Sequence, residues 1–292
     1  MAPCGIYSFL SSQFSNGNFS TTIADIRLRA SYPGNRIVVV EGESDSIVLS
    51  DFFDSTIHIL FPFCKGNAEK IIQQLDYNYY KNVIAILDKD YDRISCDARV
   101  FYYDYCNLEM MLISHDSLFD NFLTPDLSKE DLLSMRDDII YHLKPISCLR
   151  LLNSMSRSTH CKCFSTKEAI GTIDCMLFSN SDLILYIQGN IIANLTNPNL
   201  SVTDKNAILN AFNNNINALM ANNAYDISNG HDFNKELIKK LPSHLSIDET
   251  CGANSIYRLY KNALSEVVFK STNLYSDIKK YERNTNLVFL AP

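Results

Sequence analysis

The sequence predicts an α/β fold: a mainly parallel sheet flanked by helices, followed by a mostly helical C-terminal half. Three observations predict it. Short, continuous apolar runs recur in the first third of the chain: RIVVV at 36–40, TIHILF at 56–61 and NVIAIL at 82–87. Such runs suit strands buried on both faces. Segments with helical apolar spacing separate them, and strand–helix–strand alternation implies a parallel sheet covered on both sides. From about Ser114 onward, helical periodicity dominates.

Taken in order, the first strand at 36–40 holds four consecutive β-branched residues, which favour a pleated, packed surface. Residues 44–53 place Ile47, Val48, Phe52 and Phe53 at helical spacing. The second strand, 56–61, ends at Pro62. Asn67 then caps an expected helix at 67–75. The third strand is 82–87, the fourth 99–103, and a helix opens at 108–113. Further helices are expected at 129–143, 147–155, 201–220 and 256–268, although the Asn-rich stretch after Asp204 is a poor helix former. Residues 183–187 are apolar enough to add a strand. These boundaries divide the chain into an α/β domain over 1–115 and a helical extension over 116–292 packed on it.

Composition narrows the function classes. The chain has 292 residues, 46% of them hydrophobic, enough for a sizeable core. No stretch approaches the roughly 20 apolar residues that a membrane helix needs. The N-terminal MAPCGIYSFLSSQF has no basic lead-in of the kind a secretory signal carries, so a cytoplasmic location is expected. Nine cysteines are scattered rather than framed as a small disulfide scaffold, and the thiols are expected to be reduced. His160-Cys161-Lys162-Cys163 lacks the second ligand pair of a structural zinc site. A net charge of −7 argues against coating of nucleic acid through a broad basic surface. It leaves room for a local basic groove beside an acidic site.

The chemistry concentrates at two strand ends. Glu41-Gly42-Glu43-Ser44-Asp45 follows the first strand, and Asp88-Lys89-Asp90-Tyr91-Asp92 follows the third. Side chains at the carboxyl ends of parallel strands face the crevice where α/β proteins hold ligands. Three carboxylates within five residues repel one another unless protons or a cation compensate. Mg²⁺ takes oxygen ligands and keeps several waters, so a few carboxylates suffice. Each cluster alone also reads as helix capping or as an acidic surface loop. Two clusters at neighbouring strand ends point to one shared site, with Glu41 as ligand or general acid/base and Asp88 and Asp90 holding Mg²⁺. A cation there suits phosphoryl chemistry.

VVVEGESD followed by AILDKDYD resembles the TOPRIM signature, a strand-Glu-Gly element followed by a strand-Asp-x-Asp element. Tyr103-Asp104-Tyr105-Cys106-Asn107-Leu108-Glu109 and Asn229-Gly230-His231-Asp232 are similar to elements of one TOPRIM-like nuclease family. That family includes AriB, the toxin component of the PARIS anti-phage system. The resemblance implies a Mg²⁺-dependent endonuclease of bacterial immunity, with Mn²⁺ as an alternative ion. It implies RNA, in particular tRNA, as substrate and an ABC-type ATPase sensor (AriA-like) as the restraining partner. A second copy of the chain is a further candidate partner. Carried over by position, Glu41, Asp88 and Asp90 are the catalytic acids, and Asp45 and Glu109 are further metal ligands. Cys64-Lys65-Gly66 departs from the glycine-rich stretch of related chains, leaving Lys65 as the phosphate contact.

Other residues carry less. Arg258 and Lys261, beside Tyr257 and Tyr260, offer charge and stacking for nucleic acid, or simply one face of an amphipathic helix. His231 and Asp232 are site candidates or caps for a helix at 233–240, and His115 and Asp116 read as caps. The chain shows neither the strand-passage module of a topoisomerase nor the zinc domain of a primase. Two readings remain beside the RNA-cleaving one: a DNA nuclease of the OLD type, and a non-catalytic regulatory module.

Overall fold

The computed structural model describes residues 19–62, 64–91, 95–121, 127–157, 174–192, 202–241 and 254–292. Asp92 and the cluster at 160–163 lie outside them. A four-stranded, all-parallel sheet carries the fold: β1 (Arg36–Val40), β2 (Ile57–Leu60), β3 (Val83–Leu87) and β4 (Val100–Tyr102), in the order β2-β1-β3-β4. The chain leaves β1 toward β2 on one side and returns to β3 on the other. The β1/β3 boundary is therefore the topological switch point, where a crevice opens at the strand ends.

The strands separate two apolar layers by the period-2 rule. Ile37, Val39, Val83, Ala85 and Leu87 face one layer, with α1 (Phe19–Ser31) and α3 (Lys65–Gln74). From those helices come Ile23, Ile26, Ala68, Ile71 and Ile72. Val38, Val40, Ile84 and Ile86 face the other, larger layer. There they meet Val48 and Leu49 of α2 (Glu43–Leu49), α4 (Leu108–Ile113) and the helical half. Both faces of the sheet are covered, which is why its strands read as unbroken apolar runs.

The helical half comprises α5 (Lys129–Arg157), α6 (Asn180–Tyr186), α7 (Val202–Met220), α8 (Ala224–Ile227), α9 (Gly230–Lys240), α10 (Asn254–Ala263), α11 (Glu266–Lys270) and α12 (Asn273–Thr285). In the Asn-rich α7, Ile208, Phe212, Ile216 and Leu219 are buried at helical spacing, so packing overrides weak propensity. The chain then returns to the sheet. Buried Glu282 accepts the N–H groups of Phe289 (2.6 Å) and Leu290 (2.7 Å), and Leu290 bridges to Phe53.

Several elements differ from expectation. Residues 129–143 and 147–155 form one continuous helix through Pro145, whose missing N–H is outweighed by burial of Leu143, Ile146, Cys148 and Leu149 around it. Residues 183–187 are helical rather than extended. Ser179 caps α6 by accepting the Asp182 N–H, and a short apolar run alone does not separate strand from helix. The helix expected over 256–268 divides into α10 and α11, with Ser265 capping the second. Helices α1 and α12 lie beyond the expected set. Arg99 does not extend β4: its buried guanidinium binds the Ile72 and Leu75 carbonyls (3.0 and 2.9 Å), closing the carboxyl end of α3. Among the described residues, no helix is long and apolar enough to cross a membrane.

Candidate active site

The carboxyl ends of β1 and β3 are adjacent because Val40 pairs with Ile86. The next residues on each strand therefore meet. Glu41 accepts the backbone N–H of Asp88 through Oε1 at 2.8 Å. Gly42 turns the chain into α2, whose buried Asp45 accepts the Gly42 N–H at 3.1 Å through Oδ2. This is half of a capping box, and it aims Asp45 back toward Glu41. After β4 the chain runs to Asn107, whose side chain accepts the Met110 N–H and caps α4. Glu109 in that first turn is 5% exposed.

Glu41, Asp45, Asp88 and Glu109 all line one cavity of about 150 Å³, together with Gly42, Ser44, Cys64, Leu108 and His231. A larger hollow of about 510 Å³ lies at the opposite end of the sheet, around Arg36 and Asn82, and holds no acidic cluster. The chemistry therefore belongs to the smaller one.

Helix α9 closes the cavity from the helical half. Asn229 caps it by accepting the N–H groups of His231 and Asp232, so the cap is Asn229 and the helix starts at Gly230, earlier than expected. Gly230 has no side chain because Glu109 occupies that space: a Cβ would stand 2.4 Å from Glu109 Oε2. Asp232 turns away and takes a two-pronged ion pair with Arg150 of α5, at 2.7 and 2.8 Å. His231 stays at the mouth, its side chain 76% exposed and Nδ1 4.0 Å from Glu109 Oε1.

The electrostatics follow from crowding and burial. Burial lifts the Glu41 carboxyl to about 8, with Asp90 and Asp45 adding repulsion and the Asp88 N–H and Lys65 opposing. Burial raises Asp45 to about 6, against the stabilising bond from Tyr103. Asp88 is driven well above the carboxylate range by burial and then by Glu41, Asp45 and Glu109. By exposed area Asp88 is only half-buried, so its contact with water runs through the crevice. Among the described residues, no Lys or Arg forms an ion pair with any of these four acids.

Asp90 stands apart from the cavity lining. Its backbone is left-handed (φ 48°), its N–H is held by the Cys106 carbonyl, and its carboxylate faces Lys65 at 3.5 Å. Asp90 is thus not among the residues that line the cavity, where Asp88 and Asp90 together were expected to hold the ion, although its carboxylate still opposes ionisation of Glu41. Lys65, the first residue of α3, also donates to the Lys89 carbonyl at 3.1 Å, which places its ammonium at the rim of the acidic cluster. Lys261 donates instead to Asp51 and Ser50, at 2.8 and 3.0 Å. Arg258 is exposed, but Tyr257 and Tyr260 are buried and offer no stacking face. His115 and Asp116 lie at the start of a 3-10 turn, where Asp116 pairs with Arg136.

The fold brings three further groups to the site, none of them assigned a role toward the acids from sequence: Tyr103, Tyr257 and Cys64. Tyr103 donates to Asp45 Oδ1 at 2.5 Å, and Tyr257 donates to Glu109 Oε1. A lone tyrosine carries no sequence signal for this role. The donor set of the cavity suits a hard divalent cation: carboxylate oxygens from four positions, with the carboxyls of Glu41, Asp45 and Asp88 raised by burial and crowding, and no Lys or Arg ion pair to the four among the described residues. Among the described residues, no three His, Cys, Asp or Glu side chains are already arranged to hold a metal ion, so the fit is one of chemistry and charge. No protein-family model matches the chain, and no curated protein matches it.

Proposed function

We propose that the chain is a Mg²⁺-dependent nuclease that cuts phosphodiester bonds at the acidic cavity and serves as an anti-phage effector. One observation carries the reading. Four carboxylates from separate elements share one small cavity at the switch point of a parallel sheet, and among the described residues no Lys or Arg ion pair reaches any of them. Holding such groups together is costly unless a cation or protons compensate them.

Glu41 and Asp88 would hold the ion, with Asp45 and Glu109 behind them. When bound, Mg²⁺ or Mn²⁺ supplies charge neutralisation at a phosphate and lowers the pKa of a water. The protein's own groups do the rest. In the metal-free chain the Glu41 carboxyl, raised to about 8, holds its proton at neutral pH, and it would release that proton to a bound cation and remain as its carboxylate ligand. The Asp88 N–H fixes which way that carboxyl points. Lys65 at the rim, beside Asp90, and exposed His231 at the mouth would meet an anionic backbone.

The likeness of VVVEGESD and AILDKDYD to the TOPRIM signature supports the nuclease reading. The narrower family likeness supports tRNA as substrate and an ABC-type ATPase as the partner that restrains the chain. The test is to express the chain and its Glu41→Ala variant, with any neighbouring ATPase gene, and map cellular RNA ends. Discrete tRNA cuts that require Glu41 are expected. Uniform DNA loss would move the substrate to DNA, and equal effects of both proteins would overturn the nuclease reading.

A further inference from the structure

Two buried phenols, one following β4 and one in the helical half, each donate to one inner carboxylate of the cavity. Tyr103, fully buried just after β4, donates to Asp45 Oδ1 at 2.5 Å. Tyr257 of α10, 2% exposed, donates to Glu109 Oε1. Neither ring lines the cavity itself. We propose that Tyr103 and Tyr257 are positioning residues that fix Asp45 and Glu109 for cation binding; this rests on the metal-dependent reading above and deepens it.

The choice of residue type follows from charge. A Lys or Arg in either place would neutralise the carboxylate and compete with a cation. A phenol donates one hydrogen bond and brings no charge. Removing a group that orients a metal ligand from behind typically costs about 10–100-fold in metal affinity. The mounting supports the same role. Helix α10 packs on α2, which carries Asp45, and Lys261 fastens it to Asp51 and Ser50 just past the end of α2. Tyr257 thus reaches Glu109 from a helix already fixed to the element bearing the other braced acid.

An internal control lies one turn along α10. Tyr260, equally buried, donates to Asn234 Oδ1 at 2.5 Å, a bond of the same kind that does not touch the cavity. Mn²⁺ binding to the metal-free full-length chain, by calorimetry, compares wild type with Tyr103→Phe, Tyr257→Phe and Tyr260→Phe, each checked by thermal melting. The first two variants should bind Mn²⁺ about 10-fold or more weakly, and Tyr260→Phe should stay within about two-fold of wild type. Wild-type affinity in both site variants, or an equal loss in Tyr260→Phe, overturns the inference. A loss in only one of the two removes the role from the other. Should Tyr257→Phe fail to fold, Tyr103→Phe decides alone. A wild-type chain that binds no divalent cation overturns the metal reading and this inference together; intact binding in the Phe variants overturns only the inference.

Discussion

Glu41 accepts the backbone N–H of Asp88 at 2.8 Å, so the two acidic strand ends are joined directly across the β1/β3 boundary. The bond has two consequences. It orients one carboxyl of the cavity by main-chain geometry, which the sheet register fixes. It also brings Glu41 close enough to Asp88 for each acid to oppose ionisation of the other. The strand pairing that stabilises the sheet thus creates the electrostatic cost at its edge.

Replacing Glu41 with Gln separates these effects. The Gln carbonyl still accepts the Asp88 N–H, while one buried carboxyl and its repulsion on Asp88 and Asp45 are gone. Metal-free Glu41→Gln should be more stable than wild type near pH 8, by on the order of 1 kcal/mol, a figure kept low because the crevice admits water. Its cation-dependent cleavage should fall by about 100-fold or more. Denaturant titration in chelator and a nuclease assay read the two effects. A variant less stable than wild type, or as active, contradicts the placement of Glu41.

The acidic cluster also sets the direction of pH dependence. Folding raises Glu41 from 4.5 to about 8 and Asp45 from 3.8 to about 6. Between the unfolded and folded values the native chain binds more protons than the unfolded chain, so its stability falls as pH rises. Metal-free melting temperature should therefore decline from about pH 5 to about pH 8. Mg²⁺ competes with those protons, so its stabilising shift should be small at the acidic end and grow toward pH 8. Scanning calorimetry with chelator and with Mg²⁺ checks both trends. A metal-free stability that rises across the same window would show that these carboxyls are not crowded in the native state.

Much of this was legible in the sequence, because the strands are buried on both faces and read as unbroken apolar runs ending in acids. Glu41, Asp45, Asp88 and Glu109 meet in one cavity because each follows a strand end or opens the next helix. Asp90 departs from expectation because its left-handed backbone and Lys65 decide where its carboxylate goes, and local spacing encodes neither. Tyr257 read either as a stacking face for nucleic acid or as part of an amphipathic helix; it lies in the core, 148 residues from the Glu109 it braces. Contacts of that separation depend on how α10 docks, which periodicity does not report. The strand expected at 183–187 failed for a different reason. A run of five apolar residues fits either period, and the Ser179 cap decided it.

Gly230 offers a test of the joint between the two halves. An added Cβ would stand 2.4 Å from Glu109 Oε2 and 2.6 Å from its Cβ and Cδ. Neither side yields easily. The start of α9 is held by the Asn229 cap and the Arg150–Asp232 pair, and Glu109 is buried under the Tyr257 phenol. Gly230→Ala should therefore destabilise the chain by about 1–3 kcal/mol through overpacking, and should displace Glu109 and weaken Mn²⁺ binding. Gly66→Ala is the matched control. It too lies in the first turn of a helix, but its added Cβ meets nothing within 4 Å, so it should be neutral or stabilising by about 0.4–1 kcal/mol. Denaturation midpoints and Mn²⁺ isotherms of the two variants decide the matter. Equal stability and equal Mn²⁺ affinity in both would mean that α9 does not press on Glu109, and that the helical half does not complete the cavity.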